Sequence, residues 1–200
     1  MIEIINATKI LKGKTVLDQI NLQLQEGDFI LLKGPNGCGK TMLLRMICGL
    51  ITPGSGEIKS DKAYTCGVII ENPSFFEGET AKYNLKYLAS LNHRITDLEI
   101  DRYLQMFDLF EERNKKVRTF SLGMKQRLAL IQAMMEDPDI LLLDEPFNAI
   151  DDENLENVYH ILNEFHKRNK MIVVASHGDH SDKYEFNRVI QMNRGKIKTD

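Results

Sequence analysis

The run Gly34-Pro35-Asn36-Gly37-Cys38-Gly39-Lys40-Thr41 follows the pattern G-x-x-x-x-G-K-[ST]. Its chemistry is the holding of a polyphosphate. Glycines let the backbone wrap a β-phosphate with its N–H groups, and the start of the following helix adds partial positive charge. Lys40 would reach the β and γ oxygens, and Thr41 would offer a hydroxyl to Mg2+. A second constellation answers the first. Ile140-Leu141-Leu142-Leu143 runs into Asp144-Glu145, an apolar strand ending in two acids. Beside a phosphate loop, Asp144 is the expected Mg2+ ligand and Glu145 the candidate base for an attacking water. Together they predict binding of ATP or GTP.

These residues need a frame, and hydrophobic patterning supplies one. Ile20, Leu22 and Leu24 alternate with Asn21, Gln23 and Gln25, the period of a half-buried strand. Phe29 to Leu32 is apolar throughout, as a strand covered on both faces should be. After the glycine loop, Leu43, Ile47 and Leu50 recur at helical spacing, and Gly49 with Pro53-Gly54 marks a stop. Val68 to Ile70 reads as another buried strand, ended by Asn72-Pro73. Thr80 caps a helix reaching about Leu91. Thr96 and Glu99 form a capping box for a helix carrying Leu98, Tyr103, Leu104, Phe107 and Leu109. A third helix starts near Ser121 and passes Leu128, Ile131 and Met135 before Asp137-Pro138. The helix after Asp151, with Leu155, Val158, Leu162 and Phe165 on one face, joins strands Ile140 to Leu143 and Ile172 to Ala175. Val189 to Met192, Asn193-Arg194-Gly195 and Ile197 predict a closing hairpin. The sum is one α/β domain over residues 1–200, a nucleotide-binding core interrupted by a helical insert at about residues 72–135.

Composition narrows the setting. Of 200 residues 42% are hydrophobic, enough for one substantial core. The 26 Lys and Arg against 29 Asp and Glu leave a net charge of −3, which does not suggest a nucleic-acid surface. The apolar runs are far below the roughly 20 residues of a bilayer-spanning helix. The N-terminus MIEIINATKI has no basic head or apolar h-region, and three cysteines make no disulfide framework. The expected address is cytosolic and reducing.

Four segments in this order resemble the ATP-binding subunit of an ABC transporter: Gly34 to Thr41, Phe120-Ser121-Leu122-Gly123-Met124-Lys125-Gln126-Arg127, Ile140 to Asp151, and Ser176-His177. The resemblance spans essentially the whole chain. It implies a P-loop ATPase core with a small N-terminal antiparallel β-subdomain and an inserted helical subdomain. It also implies ATP and Mg2+ as ligands, with Asn36, Gly37, Cys38, Gly39, Lys40, Thr41 and Met42 around the phosphates. Ser121 and Gly123 match the family's signature, which contacts the γ-phosphate of ATP held by the other subunit of a head-to-tail dimer. A serine at a helix start is an anion site on physical grounds and a plain helix cap as well. His177 corresponds to the switch histidine supporting the γ-phosphate. Asp151 matches the aspartate that links the two subunits.

Departures from the family pattern carry information. Leu11 stands where an aromatic usually stacks on adenine, with Val16 sharing the apolar contact, so base selectivity should weaken. Glu71 replaces a glutamine. It can ligate or screen Mg2+, and it adds negative charge near Glu145. Leu122 and Met124 replace a glycine and a glutamine. With Glu71 to Phe76, they resemble the subgroup that exports or confers self-protection against bacitracin and lantibiotic-type peptides. The family's partner is a polytopic membrane permease on a separate chain, which places the subunit on the cytoplasmic face of the membrane. Phe75, Phe76, Tyr83, Leu85 and Tyr87 lie where the family grips that partner, or else they pack the insert. Cys38, near Lys40 and a helix start, should be an activated thiol that ATP protects from alkylation. An Asp179 and His180 metal pair is disfavoured against a solvated loop, and His93, His160 and His166 are assigned to surface or packing roles. A soluble ABC-type ATPase in assembly or regulation is the alternative. A small-molecule kinase would have no reason to carry Ser121 to Arg127.

Overall fold

The computed structural model describes residues 1–71, 74–92, 95–177 and 185–198. The Asn72-Pro73 breaker, His93, Asp179 and His180 lie outside the described residues. Three strands, β1 (Ile2–Leu11), β2 (Lys14–Leu24) and β4 (Ser55–Ser60), form an antiparallel sheet in the order β2-β1-β4. A second sheet has the order β5-β6-β7-β3-β8-β9, from β3 (Phe29–Lys33), β5 (Cys66–Ile69), β6 (Ile140–Asp144), β7 (Met171–Ser176), β8 (Arg188–Asn193) and β9 (Lys196–Ile197). Its strands β5, β6, β7, β3 and β8 pair in parallel, and β9 closes an antiparallel hairpin on β8. The helices are α1 (Lys40–Ile47), α2 (Ala81–Asn92), α3 (Asp97–Met106), α4 (Leu122–Met134) and α5 (Asp152–His166).

The continuous apolar strands are explained by what covers them. Phe29 and Leu31, Leu141 and Leu143, Ile172 and Val174 belong to one core with residues of α2 to α5. Their neighbours Ile30 and Leu32, Ile140 and Leu142, Val173 and Ala175 belong to a second core. That second core takes Leu43, Leu44 and Ile47 of α1 and Ile4, Leu17 and Ile20 of the antiparallel sheet. Period-two side chains thus feed two separate layers, the condition that removes polar residues from a strand. The P-loop core, the N-terminal β-layer and the helical segment expected from the sequence are all present.

Local chemistry sets the helix ends. Ser121 and Asp151 cap α4 and α5 by accepting from Met124 N and Asn154 N. Thr96 and Glu99 make the capping box of α3 reciprocally. Two expectations need correction. Leu50 lies past the end of α1 and is 68% exposed, because the chain turns at Gly49 with φ 76° before Leu50 can join the helical stripe. The helix α3 does carry Leu98, with its side chain 63% exposed. Leu109 is buried but follows the end of α3, reached through Asp108 at φ 51°.

Gly67 marks where β5 meets α4. A methyl group there would sit 1.9 Å from the carbonyl oxygen of Ala133. Gly67→Ala should therefore lower stability by about 2–4 kcal/mol in urea denaturation, because backbone must move. Gly78→Ala, with nothing within 4 Å, should leave the midpoint nearly unchanged and serves as the control.

Candidate nucleotide site

The carboxyl ends of β3, β5, β6 and β7 lie side by side, and each delivers a polar residue to the same edge, the place where open α/β sheets bind ligands. From β3 the chain enters the glycine loop, which packs from both sides. A methyl on Gly34 would fall 2.4 Å from Met192 O of β8, and one on Gly39 would fall 2.7 Å from Val16 O of β2. Gly39 also has φ 112°, a conformation open to glycine. Gly195 N–H, in the turn of the β8–β9 hairpin, donates to Cys38 O at 2.8 Å. Nothing local in the motif announces this backing.

A cleft of about 420 Å³ opens beside the loop. It is lined by Val16, Asn36, Gly37, Gly39, Lys40, Thr41, Met42, Glu71, Asp144 and Glu145. Lys40 is 6% exposed. Its Nζ donates to Gly34 O at 2.7 Å and lies 3.9 Å from Glu145 Oε1. Thr41 Oγ1 donates to Asp144 Oδ2 at 2.5 Å. Burial pushes the Asp144 carboxyl above its ordinary range. Glu145 and Glu71 add to this, while the Thr41 hydrogen bond and Lys40 oppose it. Glu145 follows β6 with φ 48°, an uncommon conformation for a side-chain-bearing residue that costs about 1–2 kcal/mol. Its N–H donates to Ala175 O at 2.9 Å, so the β6–β7 ladder fixes it. Ser176 Oγ donates to Oε2 at 3.3 Å, and His177 Nδ1 stands 3.0 Å from Oε1, within ion-pair reach but not aligned as a hydrogen bond.

The residues fit a cation carried in by phosphate. Among the described residues no three His, Cys, Asp or Glu side chains form a metal cage. One hydroxyl and one carboxylate oxygen in contact are what Mg2+ requires when phosphates and water complete its octahedron. Glu71, expected as a further ligand, is otherwise engaged: Arg45 Nη2 donates to its Oε1 at 2.5 Å. Arg45 went unnoticed because nothing in its own spacing pairs it with residue 71.

Most of the other expected site residues do not line the cleft. Leu11 ends β1 opposite Lys14, 38% exposed, and does not line the cleft, whereas Val16 does. Cys38 is 4% exposed, with its N–H on Pro35 O. The thiol expected to be activated is thus buried in the second core. His177 faces a neighbouring hollow with Lys33, Pro35 and Asn193. His166 takes the packing role assigned to it, its Nε2 2.8 Å from Gly27 O and its ring 5.3 Å from that of Phe29. Ser121 and Gly123 sit at the start of α4. A methyl on Gly123 would lie 2.5 Å from Ala149 O, so the turn presses on the loop that follows Glu145. Buried Arg127 anchors the same helix by donating to Phe107 O at 2.7 Å and Asp108 O at 3.1 Å. Asp151 is held below the usual carboxylate range by its capping bonds from Asn154.

A glycine loop between strand and helix, whose Thr41 meets Asp144 on the next strand end but one, defines a P-loop nucleotide-binding protein. The family model for the ABC transporter matches residues 17–148, and the chain belongs to that family as an ATP-binding domain. The ABC transporter ATP-binding protein YybJ of Bacillus subtilis (strain 168) is 40% identical over 208 residues, covering 100% of this chain and 95% of that protein. The bacitracin transport ATP-binding protein BcrA of Bacillus licheniformis is 34% identical over 188 residues, covering 88% of this chain and 61% of that protein. The dimeric structure of MJ0796, a bacterial ABC transporter cassette, superimposes with a TM-score of 0.91 at 25% identity, covering 100% of this chain and 97% of that one.

The raised carboxyl of Asp144 has a consequence for stability. A carboxyl raised by folding favours the folded state below its unfolded pKa, and that contribution is lost as pH rises through the higher folded value. In the absence of nucleotide and Mg2+, Asp144→Asn should therefore melt about 2–4 °C higher than the parent at neutral pH. The gap should close as pH falls through the carboxylate range. Thermal melts across that range check the sign.

Proposed function

We propose that this chain is an ATP-hydrolysing subunit that pairs head to tail with a second copy or a related ATPase around two ATP, and so powers a separate membrane permease. One observation carries the reading. Lys40, Thr41, Asp144 and Glu145 share a cleft, while Ser121 and Gly123, at the start of α4, do not line it. A nucleotide held by the first set needs another subunit to supply the second. The dimeric structure of the MJ0796 cassette supports this arrangement.

In this reading Lys40 draws charge from the β and γ oxygens, and Thr41 and Asp144 hold Mg2+. The metal would supply charge neutralisation across the phosphates. Glu145, oriented by the β6–β7 ladder and by Ser176 and His177, takes the proton of the attacking water. His177 then supports the γ-phosphate. The subunit would sit on the cytoplasmic face of the membrane. None of the helices among the described residues is long and apolar enough to cross a bilayer, so the span would come from the permease.

Phe76, Tyr83 and Tyr87 support a docking role. They are 51%, 48% and 43% exposed, and Phe76 meets Tyr87 edge to face at 5.0 Å. Leu85 is fully buried and Phe75 packs against the core, so these two belong to the insert itself. The names of the BcrA relatives support an exporter of antimicrobial peptide, drug or related amphiphile.

Glu145→Gln should keep ATP affinity while phosphate release falls by about 10²–10³-fold, and ATP should then shift the protein to a dimer in size-exclusion chromatography. Undiminished phosphate release would remove Glu145 from its role. Lys40→Ala should weaken ATP binding itself in calorimetry, at least about tenfold. Recovery of a polytopic membrane protein with the tagged chain from solubilised membranes tests the permease, and a soluble partner alone would favour an assembly role.

A further inference from the structure

Among the described residues three carboxylates border the phosphate cleft, from Glu71, Asp144 and Glu145, and its lining contains a single cation, Lys40. A polyphosphate entering such a site meets repulsion that falls off only slowly with distance in a half-buried setting. Glu71 is the surplus charge. It follows β5 at the same sheet edge, in a left-handed backbone with φ 64° that fixes the direction of its side chain. Arg45 meets it at 2.5 Å from outside the cleft lining. Arg45 stands in the last turn of α1, the helix that Lys40 begins.

We propose that Arg45 is a positioning residue for nucleotide binding, which holds Glu71 at the rim and cancels its charge so that the cleft accepts a polyphosphate. The inference rests on the nucleotide reading given above. A partly exposed ion pair adds little to folding. Arg45 is 29% exposed and Glu71 65% exposed, so breaking the pair should leave folding stability nearly unchanged.

The test is ATP affinity by calorimetry, with Mg2+ and with EDTA, alongside thermal melts. Arg45→Gln should weaken ATP binding about tenfold in EDTA and less with Mg2+, because a metal already neutralises part of the phosphate charge. Its melting temperature should stay close to the parent's. Arg45→Lys should retain most of the affinity. Adding Glu71→Gln to Arg45→Gln should restore binding, since the uncompensated charge is gone. Glu71→Gln alone should tighten ATP binding in EDTA, and this arm stands even where Arg45→Gln does not fold. The proposal is overturned by parental affinity in Arg45→Gln, by a double variant as weak as Arg45→Gln, or by unchanged affinity in Glu71→Gln. Failure of the parent to bind ATP at all would instead overturn the nucleotide reading.

Discussion

The constraint on which the site depends is the narrow space left to the backbone of the phosphate loop. Val16 O presses on Gly39 from the antiparallel sheet, and Met192 O presses on Gly34 from β8. At Gly34 and Gly39 no side chain fits, so the loop's course is fixed by its neighbours as well as by its glycines. Lys40 then starts α1 in a buried position, and Thr41 comes into contact with Asp144 across the sheet edge. Both sheets are required. The antiparallel layer, which contributes little to the ligand directly, forms one wall of the mould.

Charge is the second theme of the cleft. Asp144 and Glu145 are neighbours in sequence but have different surroundings. Asp144 is bonded to a threonine hydroxyl and partly cut off from water, while Glu145 is approached by Lys40, Ser176 and His177. Adjacent carboxylates with unlike partners can divide a task, one holding a cation and the other handling a proton. The left-handed turn at Glu145 makes this possible, because it swings the second carboxylate away from the direction that continued strand geometry would give it.

Much of this was legible in the sequence for a physical reason: the decisive features are local. The glycine loop, the apolar run into Asp144-Glu145 and the capping residues Thr96 and Ser121 each act over a few positions, and the structure has each of them where the sequence places it. Features built from distant residues were not legible. The Gly195 turn meets Cys38, and Arg45 meets Glu71, only after the sheet has formed. Cys38 shows the same limit from the other side. Its neighbours in sequence suggested a reactive thiol, whereas its neighbours in space bury it. Leu50 and Leu98 fit a helical period but lie off the apolar face, since a period says nothing about where a helix stops or which edge of its stripe is covered.

The contact of Gly123 with Ala149 O has a mechanical meaning. No hydrogen bond joins the two, only the hard wall of a carbonyl against a bare α-carbon. Such a joint bears compression and no tension: the loop after Glu145 can shove the start of α4 outward, yet it cannot draw it back. What holds α4 against such a push is the buried guanidinium of Arg127, tethered to the carbonyls of Phe107 and Asp108.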